Sequence, residues 1–79
     1  MLEEYRKLTD DEIKMGFVAS CIEYVAEKLG VTYKEVFDRM KSIELIDKYI
    51  YPSFEALHTE SRENLTENLV STMQFWERK

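Results

Sequence analysis

At 79 residues and a net charge of −5, the chain is one domain long. A domain of this size buries only about 60 to 65% of the surface its unfolded form exposes, which holds the expected stability to about 4 to 12 kcal/mol. The 16 acidic residues outnumber the 11 basic ones and Lys and Arg form no cluster, so the counterion release that drives phosphate-backbone binding is missing and nucleic acid is excluded as the expected partner.

The first residues, Met1-Leu2-Glu3-Glu4-Tyr5-Arg6-Lys7, carry acids where a signal peptide has bases, and no apolar run follows. Residues 1–9 are expected to be a frayed leader to a single helical domain at 10–79. No stretch reaches the roughly 20 apolar residues of a membrane span. The expectation is a cytoplasmic protein without membrane contact. The lone cysteine, Cys21, forms no internal disulfide and fits a reducing compartment.

Thr9-Asp10-Asp11-Glu12 reads as a capping box, in which the Thr hydroxyl accepts from the third amide on and the Glu reaches back to the cap. A helix over 10–29 follows. Its polar stripe is Glu12, Gly16, Ser20, Glu23 and Glu27; its apolar face is Ile13, Phe17, Cys21, Tyr24 and Val25, widened by Val18, Ile22 and Leu29. A face that wide serves two neighbours, so this helix is predicted to be central.

Gly30 stands where the left-handed residue that closes a helix belongs, and Thr32 with Glu35 repeats the capping box, flanked by Val31 and Val36 as a hydrophobic staple. The helix they open is predicted over 33–41, with Tyr33, Val36, Phe37 and Met40 inward. A third, over 43–50, places Ile43, Ile46, Tyr49 and Ile50 inward and Asp47 and Lys48 outward. Pro52 has no amide hydrogen and disfavours helix at Tyr51, so a break falls there and a short helix restarts over 53–57. Thr59 or Ser61 then caps a last helix over 61–77, whose face is Leu65, Leu69, Met73 and Trp76 with Val70 beside it. Apolar residues recur at helical and not alternating spacing throughout. The fold class is therefore all-α, a compact bundle of four or five helices, the first and last long. These two are predicted to pack along Phe17, Cys21, Tyr24, Leu65, Leu69 and Met73.

Candidate chemistry is sparse. A thiol-dependent enzyme would need Cys21 and His58, the only thiol and the only imidazole, to meet. Cys21 lies in mid-helix on an apolar side, away from the helix N-terminus that lowers thiol pKa, so the structural reading is preferred. His58 is read as a junction residue that ties its turn to a carbonyl. One His and one Cys match no zinc spacing, the acids form no calcium loop, and no glycine-rich phosphate loop is present. No catalytic, cofactor-binding or metal-binding residues are assigned, no cofactor is expected, and no small-molecule substrate is inferred. Glu23 and Glu27 form a solvated pair.

The aromatics carry the alternative. Tyr49, Tyr51, Phe54, Phe75 and Trp76 compete for a core that a short chain only partly supplies, and they form the candidate partner surface. The expected function is a small acidic, non-catalytic protein-interaction module, with a role as the antitoxin-like partner of a neighbouring gene product. A purely structural homodimer and the Cys21–His58 enzyme are the alternatives.

Cys21-Ile22-Glu23-Tyr24-Val25-Ala26-Glu27-Lys28-Leu29, then Tyr33-Lys34-Glu35-Val36-Phe37, then Glu55-Ala56-Leu57-His58-Thr59-Glu60-Ser61, resemble a family of short bacterial proteins classed as a domain of unknown function. The shared pattern is a CIE first helix, a K-EV second helix and an LHT junction, and it covers about residues 13 to 72. The resemblance implies an all-helical cytoplasmic protein, often encoded near another small open reading frame, with some relatives beside ADP-ribosyltransferase-like proteins. It brings no catalytic residues with it. Ile50-Tyr51-Pro52-Ser53 departs from the family pattern.

Overall fold

The computed structural model describes residues 9–78, and the expected leader falls outside them except for Thr9. The chain folds as α1 (Asp10–Leu29), α2 (Tyr33–Ser42), a π-helical turn (Ile46–Ile50), α3 (Phe54–Leu57) and α4 (Arg62–Glu77). Among the described residues no strand occurs, and the all-α bundle is as expected.

Thr9 caps α1 and does not belong to a leader. Its hydroxyl accepts from the Glu12 amide at 3.1 Å and the Glu12 carboxylate accepts from the Thr9 amide at 2.8 Å, which closes the full box. Gly30 ends the helix at φ 70°, and the Val31 amide donates back to Ala26, so the left-handed closure is present. The second box is half formed: Thr32 accepts from the Glu35 amide at 3.1 Å, without the return bond.

The buried ridge of α1 is Val18, Cys21, Ile22, Val25 and Ala26, at spacings of three and four. Val18, Cys21, Ile22 and Val25 stand on the predicted face and Ala26 joins them, with Phe17, Tyr24 and Leu29 half-buried at its margin. Ile13, expected inward, is 44% exposed, because the packed length of the helix begins at Phe17 and Val18. In α2 only Val36 and Met40 are buried; Tyr33 and Phe37, also expected inward, are exposed. A ten-residue helix docked on α1 buries one i,i+4 row, and residues a step further round the wheel reach solvent.

The predicted helix over 43–50 is broken at its start and changed in pitch. Glu44 takes φ 59°, a left-handed conformation costly for a residue with a Cβ. From Leu45 the chain winds wide, and the Tyr51 amide donates to Ile46, five residues back, at 2.9 Å. Tyr51 is helical at φ −62°, ψ −51°, although it precedes Pro52. The break expected at that proline is present: the π turn ends at Ile50 and residues 51–53 form a turn, in which Pro52 cannot donate to Lys48 and the amides on either side of it bond to Ile46 and Tyr49. The short helix then starts at Phe54.

Ser61 caps α4 by accepting from the Asn64 amide at 3.1 Å, while the Thr59 hydroxyl donates to the Ala56 carbonyl. Helix α4 packs on α1 and contributes Leu65, Leu69 and Met73 to a core completed by Val36, Met40, Leu45, Ile50 and Leu57. Thr66, the one buried polar residue among those described, donates to the Arg62 carbonyl at 2.7 Å and carries no desolvation debt.

Candidate interaction surface

The five aromatics expected as a partner surface are spread over the π turn, the turn after it, α3 and α4. Tyr49 and Trp76 meet: their rings lie edge to face at 5.9 Å. The π turn supplies the first and the last turn of α4 the second. The Tyr49 hydroxyl donates to Asn68 Oδ1 at 2.8 Å, and Thr72 donates to the same oxygen at 3.3 Å. Aromatic packing and hydrogen bonding together hold Tyr49 against α4. Beside the pair, Ile43, Lys48, Trp76 and Glu77 line an open cleft of about 480 Å³. Phe75, the neighbour of Trp76 on α4, is 55% exposed.

Glu77 is fixed by Arg39, whose Nε and Nη2 donate to its two carboxylate oxygens, each at 2.8 Å. That side-chain hydrogen bonding holds the Glu77 carboxyl below the usual range and the Arg39 guanidinium above its own. The forked pair joins the second half of α2 to the end of α4, so the cleft wall at Glu77 is preorganised.

Phe54 belongs elsewhere. Its ring meets Phe17 edge to face at 5.3 Å, stacks on His58 at 4.6 Å, and has the Lys14 ammonium 5.7 Å from its centroid. Tyr51 is half-buried against the core. Of the five expected aromatics, Tyr49 and Trp76 are the two that meet beside the cleft lined by Ile43, Lys48, Trp76 and Glu77.

His58 Nδ1 bonds to the Phe54 carbonyl at 2.8 Å and the residue is exposed. This is the turn-tying role expected of it. Cys21 has no exposed surface, and burial pushes its thiol up to about 12. A thiol in that state is almost wholly protonated at neutral pH and a poor nucleophile. Among the described residues no three His, Cys, Asp or Glu side chains are placed to hold a metal ion.

A second cleft, which sequence reasoning missed, lies between the last turn of α1 and the first turns of α4. It measures about 290 Å³ and is lined by Tyr24, Glu27, Lys28, Arg62, Glu63, Thr66 and Glu67. Arg62 pairs with Glu27 and lies 4.5 Å over the Tyr24 ring centroid. Glu27 and Tyr24 both stand on α1, and the return of α4 along that helix places Arg62 on them. Among the described residues no helix is long and apolar enough to cross a membrane.

A family model described as a protein of unknown function (DUF3791) matches residues 16–76. No curated protein and no solved structure matches the chain.

Proposed function

The chain belongs to the DUF3791 family, which hands on no reaction, and from that premise we propose that it is a non-catalytic, cytoplasmic protein-interaction module. Its docking surface is the Trp76 cleft with Tyr49 and Phe75. The single observation that carries this reading is the preorganisation of an open aromatic cleft. Tyr49 and Trp76 hold one another edge to face, and Arg39 fixes the Glu77 wall. Rigid aromatic anchors inside a polar rim are what protein interfaces use most, and a partner meeting them loses little conformational freedom in the groups already fixed.

The net charge of −5 steers a basic partner toward the chain. An antitoxin-like role, in which this chain masks the product of an adjacent gene, fits such a surface, and a homodimer formed through it is the second reading. The Cys21–His58 enzyme has less support, since one member is sealed in the core with a raised pKa and the other is exposed and committed to a backbone carbonyl.

Co-expression with the adjacent gene product, followed by size-exclusion chromatography with light scattering, tests the reading. A defined complex or a dimer should form and should be lost in Phe75→Ser while the helical circular dichroism is kept. A monomer that binds nothing, with Phe75→Ser lowering stability as a core substitution does, would overturn it.

A further inference from the structure

We infer that the cleft between α1 and α4 is a guanidinium site that takes an arginine side chain from a basic segment of a partner polypeptide. The chain's own Arg62 shows what the site recognises. Its planar guanidinium lies over the Tyr24 ring with the Glu27 carboxylate as ion-pair partner. Stacking and carboxylate pairing together favour arginine over lysine, whose compact ammonium is more strongly hydrated.

Arg62 is a replaceable occupant. The Arg62 and Glu27 side chains are 57% and 70% exposed, and ion pairs that wet contribute little. The forked Arg39–Glu77 pair, at 31% and 27%, is by contrast built to last. Two more carboxylates line the cleft, Glu63 and Glu67, one helical turn apart and without an ion-pair partner among the described residues, against one further lining cation, Lys28. Their mutual repulsion is relieved by an incoming cation. The Thr66 hydroxyl is committed to the Arg62 carbonyl and does not compete for those carboxylates. A volume of about 290 Å³ sits at the lower limit for small-molecule pockets and suits a single long side chain.

The inference adds a second surface to the proposed interaction module. It rests on that reading only for the partner being a polypeptide, and it shares no lining residue with the Trp76 cleft. The test is a titration of the full ¹⁵N-labelled chain with a glycine-spaced peptide carrying two arginines, its two-lysine counterpart, and N-acetylarginine amide. The arginine peptide should give saturable shifts confined to the amides lining the cleft. The lysine peptide should bind about fivefold or more weakly, since it loses the stacking contribution. Arg62→Ala, an exposed change, should tighten binding about threefold, because removing the internal occupant raises the fraction of chains with an open site. Equal affinity for the two peptides, shifts spread beyond the cleft, absence of saturation, or weaker binding by Arg62→Ala would each overturn the inference. Free arginine amide binding as tightly as the peptide would overturn the polypeptide source. Failure in any of these arms leaves the Phe75 test unaffected, and loss of complex formation in Phe75→Ser leaves the arginine titration unaffected.

Discussion

Gly30 and Cys21 show how much a single position decides. Gly30 holds φ 70° with open space where a Cβ would stand, so a substitution there is penalised by backbone conformation and not by collision. Gly30→Val should cost more than about 1 kcal/mol, the scale of the left-handed penalty for a branched side chain, read as a lower midpoint in urea unfolding. An unchanged midpoint would remove the argument. Cys21 makes a pH-dependent case. Its thiol is held up to about 12 in the fold, whereas an unfolded thiol ionises near about 8.5. The unfolded state therefore sheds its proton first. The Cys21 contribution is fully present below about pH 8.5 and is lost as pH rises toward the folded value, by at most about 1.4 kcal/mol per pH unit. Unfolding curves at pH 8 and pH 9.5 should show this loss in the native chain and a smaller one in Cys21→Ala. In the folded protein the thiol should also resist a disulfide reagent until denaturant is added.

At the scale of the element, the capped ends and long helices were legible in the sequence because capping needs only residues three apart. The pairing of Thr9 with Glu12, the closure at Gly30 and the Ser61 cap are local chemistry, and α1 and α4 fall within a residue of their expected limits. The face of α1 is legible except at its edges, where Ala26 gives no polarity signal of its own and Ile13 lies beyond the packed length. The segment 43–50 departs from the expected helix for a different reason. Leu45 has no exposed surface yet lies off the α-helical stripe of Ile43, Ile46 and Ile50. It shares the core with Ile50 because winding at five residues per hydrogen bond returns those two to one side. No pattern search at period 3.6 finds that. Leu45→Ala and Leu69→Ala, both at positions with no exposed surface, should each destabilise by about 2 to 5 kcal/mol, while Asp47→Ala should stay within about 0.5 kcal/mol. Thermal melts of the three variants check it. The candidate surface was only partly legible for the same reason: Trp76 and Tyr49 were named from composition, but which aromatics meet depends on the winding of residues 45–51.

For the whole molecule, the hydrogen bond of longest reach among the described residues is Arg39 to Glu77, 38 residues apart, which ties the second half of α2 to the end of α4. Because Arg39 hydrogen bonding lowers the Glu77 carboxyl, its stabilising effect is present above the ordinary glutamate range near about 4.3 and is lost as pH falls through the lowered folded value. Glu77→Gln should lower the melting temperature at pH 7 by about 2 to 6 °C, given the usual sensitivity of domains this small and the modest worth of an exposed pair. The difference from the native chain should narrow at a pH below the ordinary glutamate value of about 4.3. A gap of equal size at both pH values would mean that packing, and not charge, links α2 to α4.

The π turn at Ile46–Ile50 also behaves as a length polymorphism. Winding by five instead of four is how a helix absorbs one surplus residue without breaking, so this segment carries a residue that a regular helix would not need. Deleting Asp47, which is exposed, would set Leu45 and Ile50 four apart, the spacing that keeps both on one face of an ordinary α-helix. The shortened chain should fold and melt cooperatively close to the native temperature. Deleting the equally exposed Glu67 from α4, which has no surplus to give up, would swing Leu69 and Met73 about 100° out of the core, and that chain should not fold.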